Sequence, residues 1–364
     1  MASAFGDLSP TADAFASAAI DPTRWNAAMD VAASATGSFG ALMVPLKGRL
    51  PQFPMSDGMQ PSVEAYVRDG WINRDVRYRP APILVKRGVV TEFDFTSPEE
   101  MAREPYYQEF LRPHKLGWFG AVKVGEGEDV WCLSIQRTIE QGPFQQSEID
   151  RLAALSNELG GAAALARAFG FARIEAALEA FEASGSPAVV VDRLGEAVRV
   201  NRSAERLLGA DLQIVRRRVV SSSRDATAAL DRALHALIWA GQGGAFHPPV
   251  VLPRREGRPI LAYPTRLPAI AGGAFAPGQA CIVFVDLDAR PKAPGEDLIA
   301  AFRLTPAEAR LAARLLGEES LETAAARLGV SVETARNQLK SVYEKTETHR
   351  QAQLVALLAR LAKL

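Results

Sequence analysis

Near the C-terminal end, Arg336, Asn337 and Lys340 stand at positions i, i+1 and i+4 of a helical pattern, so they share one side of a helix. Arginine and lysine donate to the O6 and N7 atoms of guanine, and asparagine pairs with adenine, so such a side is able to read base edges in a DNA major groove. Thr334, Gln338, Lys345 and Arg350 are spaced to meet phosphate oxygens, which orient a protein on the duplex and carry much of its affinity. The competing reading is a solvated charged face on an ordinary bundle, because residues 303–364 hold 10 Lys or Arg against 7 Asp or Glu.

A second set of chemically capable residues lies in the first half of the chain. Tyr66, Trp71, Asp75, Tyr106, Trp118 and Trp131 combine rings with one carboxylate, the composition of a small-molecule pocket or of an aromatic core with a surface acid. Nothing assembles into catalytic machinery. There is no phosphate-binding Gly-x-x-x-x-Gly-Lys loop, no Gly-x-Ser-x-Gly elbow, no His-Glu-x-x-His and no cysteine pair at metal spacing. His114, His235, His247 and His349 are scattered, so the chain reads as a non-enzyme with no catalytic residue, no metal and no cofactor. Cys132 and Cys281 sit in apolar runs, as small buried hydrophobes do, and no disulfide is expected.

The 364 residues suffice for two or three domains, and 48% hydrophobic with 23% charged residues is an ordinary globular balance. Because 42 basic residues cancel 42 acidic ones, any basic surface must be local. The first basic residue is Arg24, unlike a secretory leader, and the long uncharged stretches 233–253 and 267–285 are broken by Gly and Pro. A cytoplasmic location and no membrane partner are expected.

The elements that position these groups can be read in outline. Residues 1–17 are small and polar and read as a flexible terminus. Asp21-Pro22 opens a helix, Phe39 to Pro45 reads as a strand, Ser97-Pro98-Glu99-Glu100 is a capping box, and Trp118–Val124 and Asp129–Gln136 form a hairpin. From Ser147 to about Phe181 an apolar stripe continues, with Gly160-Gly161 and Gly170 expected to interrupt it; it serves either as a dimer seam or as a core helix. Short strands alternate with helices over residues 183–288, with Arg216-Arg217-Arg218 in a loop or edge strand, and residues 291–302 read as a linker rich in Pro and Gly. Four helices follow. Thr305-Pro306-Ala307-Glu308 caps the first, and Gly329 turns the chain between the second and third, the arrangement of a helix-turn-helix.

Leu304-Thr305-Pro306-x-Glu308 and Ala324-Ala325-x-x-Leu328-Gly329-Val330-Ser331-x-x-Thr334-x-Arg336-Asn337-x-Leu339-Lys340 together resemble the C-terminal DNA-binding domain of LuxR-type transcription regulators, with departures at Ala335 and Gln338. The resemblance implies dimerisation through Leu354, Leu357, Leu358 and Leu361, binding to paired half-sites on double-stranded DNA, and contact with RNA polymerase. Asp192-x-x-Gly195 followed by Asn201-x-x-Ala204-x-x-Leu207-Leu208 resembles a PAS domain over residues 173–290, and residues 18–172 resemble a GAF-type sensor. Tyr66, Trp71 and Asp75, with Leu116-Gly117, are similar to the acyl-homoserine-lactone domain of quorum-sensing regulators, with Val76 where proline is usual. The expected fold is therefore multidomain: an α+β GAF-like sensor, an α+β PAS-like middle domain and an all-α helix-turn-helix domain at 303–364. The expected function is a homodimeric DNA-binding regulator that answers a small-molecule effector or a protein signal. The alternatives are a lactone-binding quorum-sensing regulator and an adaptor that binds no DNA.

Overall fold

A computed structural model of the chain describes residues 5–48, 50, 52–127, 130–239, 248–266, 274–289, 295–317 and 319–361. Of the terminus expected to be flexible, residues 9–17 are helical, and residues 1–4 lie outside the described part. Helix α1 (Ser9–Ile20) is rich in alanine and buries Phe15, Ala18 and Ala19, while Arg151 holds the preceding turn by donating to the Gly6 carbonyl. Asp21 accepts from the Thr23 amide at 3.1 Å and opens a single turn that leads into α2 (Trp25–Ala35). Strand β1 (Gly40–Pro45), helices α3 (Gln60–Arg68) and α4 (Ala81–Arg87), strand β2 (Val89–Thr91) and the short α5 (Pro98–Met101) follow, then the hairpin of β3 (Leu116–Val124) and β4 (Trp131–Thr138). The four strands are antiparallel in the order β1-β4-β3-β2.

Strand periodicity divides this sheet between two layers. Met43, Val122, Val124, Leu133 and Ile135 point to the side packed by α1, α2 and the long helix α6 (Gln146–Ala183). Their neighbours Val44, Phe119, Ala121 and Cys132 point the other way, toward α4 and the turn around Tyr106. Helix α6 runs unbroken for 38 residues. Its glycines do not interrupt it because its ends are held by packing: Leu152, Leu155 and Leu159 are buried on the first sheet, and Ile174 and Leu178 on the second. These residues serve the chain's own core rather than a seam, and of the apolar stripe Leu165 and Phe169 stay exposed.

The second sheet comes from β5 (Ala188–Val191) and β6 (Ala197–Val200), then α7 (Arg202–Leu207), a separate hairpin of β7 (Leu212–Val215) and β8 (Arg218–Ser221), helix α8 (Arg224–Trp239), and strands β9 (Val250–Leu252), β10 (Ile260–Thr265) and β11 (Ala280–Asp286). Its order is β6-β5-β11-β10-β9, all antiparallel. Asp192 closes the β5–β6 turn by accepting from the Leu194 and Glu196 amides, both at 2.9 Å, and Gly195 takes the positive φ of 75° this turn needs. Asn201 caps α7. Arg216 and Arg217 form the tip of the β7–β8 hairpin at φ of 49° and 64°, and Arg217 pairs with Asp192 and Glu196.

The two sheets share one core across their junction. Phe275 packs on Trp25 and Trp131 with ring centroids 5.6 and 5.2 Å away, Arg193 donates to the Lys47 carbonyl at 2.8 Å, and Gly170 lies under Pro277. The last part has its own core. It begins earlier than residue 303, because α9 (Gly295–Phe302) occupies most of the expected linker and buries Leu298 in the bundle; residues 291–294 lie outside the described part. Helices α10 (Pro306–Leu316), α11 (Leu321–Leu328), α12 (Val332–Thr346) and α13 (Gln351–Leu361) complete it.

Candidate functional site

Helix α12 is built to show one side. Ser331 caps it, accepting from the Thr334 amide at 3.0 Å, and Gly329 before it takes φ of 68° as α11 turns into the cap. Ala324, Ala325 and Ala335 are fully buried, and such small side chains let α11 and α12 approach closely. Leu339 and Val342 continue the inward face onto α10. Thr334, Arg336, Asn337 and Lys340 are exposed, Gln338 is half-buried, and Arg350 is exposed at the start of α13. Arg336 makes an exposed pair with Glu333 at 3.4 Å, which a phosphate or base edge can replace at little cost.

Two groups of expected site residues are placed differently. Lys345 is exposed like the others but is already paired. Its ammonium lies 2.6 Å from Glu308, whose other contacts cap α10 through Thr305, so the lysine ties the end of α12 to α10. Burial raises the Glu308 carboxyl, but Lys345, Thr305 and Ser341 together bring it down to about 2. Leu354 and Leu358 are fully buried in the core of their own bundle, whereas Leu357 and Leu361 are half-buried. A leucine repeat in the last helix satisfied both readings, and one helix side had to face α10.

The second site is a cavity of about 70 Å³ between the first sheet and α3, α4 and the turn at Tyr106–Leu111. Tyr66, Asp75 and Tyr106 line it as the sequence suggests. Trp71 stands behind the wall, stacked on Phe110 at 5.8 Å. Trp118 is at the surface beside exposed Phe93, and Trp131 belongs to the junction between the sheets.

What the spacing did not disclose is the polar end of the cavity. Asp75 caps a single turn, accepting from the Arg77 amide at 2.8 Å and from the Tyr66 hydroxyl at 2.9 Å. Arg77 reaches inward to Glu92 at 2.5 Å, to Gln136 at 2.8 Å and to the Gly117 carbonyl at 3.3 Å, with its guanidinium over the ring of Phe119. The second oxygen of Glu92 accepts from the Phe119 amide at 2.9 Å. Burial drives Asp75 above the ordinary carboxylate range and Glu92 up to about 7, in both cases against the pull of Arg77. Burial likewise pushes the Cys132 and Cys281 thiols up to about 12, which leaves them poor nucleophiles. Arg77 gives no advance sign of this cluster, because it stands in the charged run Arg74-Asp75-Val76-Arg77-Tyr78-Arg79, and only Glu92 follows a mostly apolar run, Val89-Val90-Thr91.

No protein-family model matches the chain, and no curated protein is significantly similar to it. Among solved structures, parts of the chain resemble a phage VqmA–DPO complex, at 19% identity over 51% of this chain and 88% of that one, with a TM-score of 0.23. They also resemble the E. coli DhaR(N)–DhaL complex, at 13% identity over 76% of this chain and 86% of that one, with a TM-score of 0.26. At such identities and scores, fold and function rest on the residues themselves.

Proposed function

We propose that the chain is a sequence-specific DNA-binding transcription regulator of the LuxR type, working in the cytoplasm as a homodimer and taking a small-molecule input in its N-terminal cavity. The observation that carries this reading is α12 itself: a capped helix after a tight glycine turn, packed on one side by Ala335, Leu339 and Val342, with Arg336, Asn337 and Lys340 exposed on the other. A single short helix reads few base pairs, which favours two copies on paired half-sites. Leu357 is half-buried and gives α13 an apolar side chain to offer a second copy, while Leu361 packs against its own bundle. The strand order of the second sheet supports the PAS-like reading, and the mostly apolar cavity beneath a four-stranded sheet supports a sensor role for the first.

The polar cluster at the cavity's end, and a volume of about 70 Å³, favour a compact ligand over a long acyl chain. Under this reading RNA polymerase is a partner of the bound dimer. The test is a mobility shift of the full chain on the DNA upstream of its own gene. Specific retardation that Arg336→Ala and Lys340→Ala weaken supports the reading. Equal affinity for that fragment and for random DNA, or none for either, favours the adaptor reading.

A further inference from the structure

The charges at the polar end of the cavity do not cancel. Arg77 and Glu92 form a buried pair, and the same guanidinium meets Gln136, a backbone carbonyl and the rings of Tyr106, Tyr107 and Phe119. Asp75 is left over. The groups that touch it are the Tyr66 hydroxyl, the Tyr106 side chain and the Arg77 amide, none of which carries charge, and the guanidinium that attracts it, that of Arg77, is shared with Glu92. Two buried carboxylates that share one counter-charge are costly, and either a proton or a bound cation relieves them.

The walls favour the second. Phe53, Tyr66, Tyr78, Tyr106, Phe110 and Phe119 all line the cavity; Arg77 lies over Phe119 and, farther off, Tyr106, and Tyr66, Phe110 and Tyr106 form a run with centroids 5.6 and 5.3 Å apart. Ring faces carry the negative part of an aromatic quadrupole, and several rings around one small space attract an organic cation. An acidic ligand would instead meet the surplus negative charge of the cluster. We propose that the cavity binds a small organic ammonium ion, its charged nitrogen toward Asp75 and its alkyl groups against the rings.

This inference rests on the cavity being the input site, and it is tested by binding alone, with the DNA shift as a separate measurement. Thermal stabilisation of the full chain is titrated with isopropylammonium chloride and, at matched ionic strength, with propan-2-ol, which has the same shape without the charge. The ammonium should stabilise the protein at least tenfold more effectively by concentration. Asp75→Asn should lose that preference, and Phe110→Leu, which keeps bulk but removes a ring face, should weaken ammonium binding several-fold with the circular dichroism of the parent. Equal effects of the two probes, no effect of the ammonium, or a folded Phe110→Leu protein that binds it like the parent would overturn the proposal. If DNA binding persists in any of those cases, the regulator reading stands and the error lies in the ligand class.

Discussion

Lys340 and Lys345 lie on one helix five residues apart, yet their surroundings give them different tasks. Lys340 is open to solvent, so Lys340→Ala and Arg336→Ala should each cost roughly 1–3 kcal/mol of specific DNA affinity and leave the melting temperature within about a degree, as titrated mobility shifts and calorimetry will show. Lys345 is a structural partner of Glu308, so Lys345→Met should destabilise the bundle by roughly 1–3 kcal/mol, read in urea unfolding. The same pair has a pH signature. Glu308 titrates near 2 in the folded chain and near 4.5 when unfolded, so its contribution is complete above about pH 4.5 and is lost as pH falls toward 2. Lys345→Met should flatten that loss, and an unchanged acid profile would show that the pair is not responsible. Helical spacing identified Arg336, Asn337 and Lys340 correctly as exposed, because exposure follows from period alone. It did not disclose the Lys345–Glu308 pair, because that partner lies 37 residues earlier.

Elements were legible where local rules govern them. The capping boxes at Ser97 and Thr305, the Ser331 cap, the Gly329 turn and the β3–β4 hairpin all stand where residue order puts them. Helix α8 escaped notice because its apolar residues run into an uncharged stretch without a clear start, and α1 because alanine and serine look featureless until Phe15 finds α6. The glycines of α6 separate propensity from packing. At Gly160 and Gly161 an added methyl meets nothing within 4 Å, so alanine there should stabilise by up to about 1 kcal/mol each. At Gly170 the methyl would run into the Pro277 ring, so Gly170→Ala should destabilise by roughly 1–3 kcal/mol despite its better helix propensity. Urea denaturation of the three single variants checks the contrast, and three equal gains would mean that α6 and the Pro277 segment do not touch. In α13, Leu358→Ala should cost about 2–5 kcal/mol of folding stability, while Leu357→Ala should act mainly on self-association in sedimentation.

Across the whole molecule, the shared core between the two sheets makes α6 a rigid strut. Buried side chains of this one helix serve both sheets, and Trp25, Trp131 and Phe275 close the junction beside it. A ligand in the cavity can alter DNA binding only if it favours one arrangement of the dimer over another, and a strut of this length can transmit such a bias. That the first two modules share a core was not readable from composition, since the contacts join residues 25, 131 and 275. The central claim is that α12 reads DNA sequence. Selection of binding sites from a random duplex library with the full chain, repeated with Arg336→Ala, tests it most directly. The account predicts a two-fold symmetric site for the parent, with half-sites about one helical turn apart, and relaxed preference at one position of each half-site for the variant. Enrichment of no sequence by the parent, or of the same site with the same preference by the variant, would contradict it.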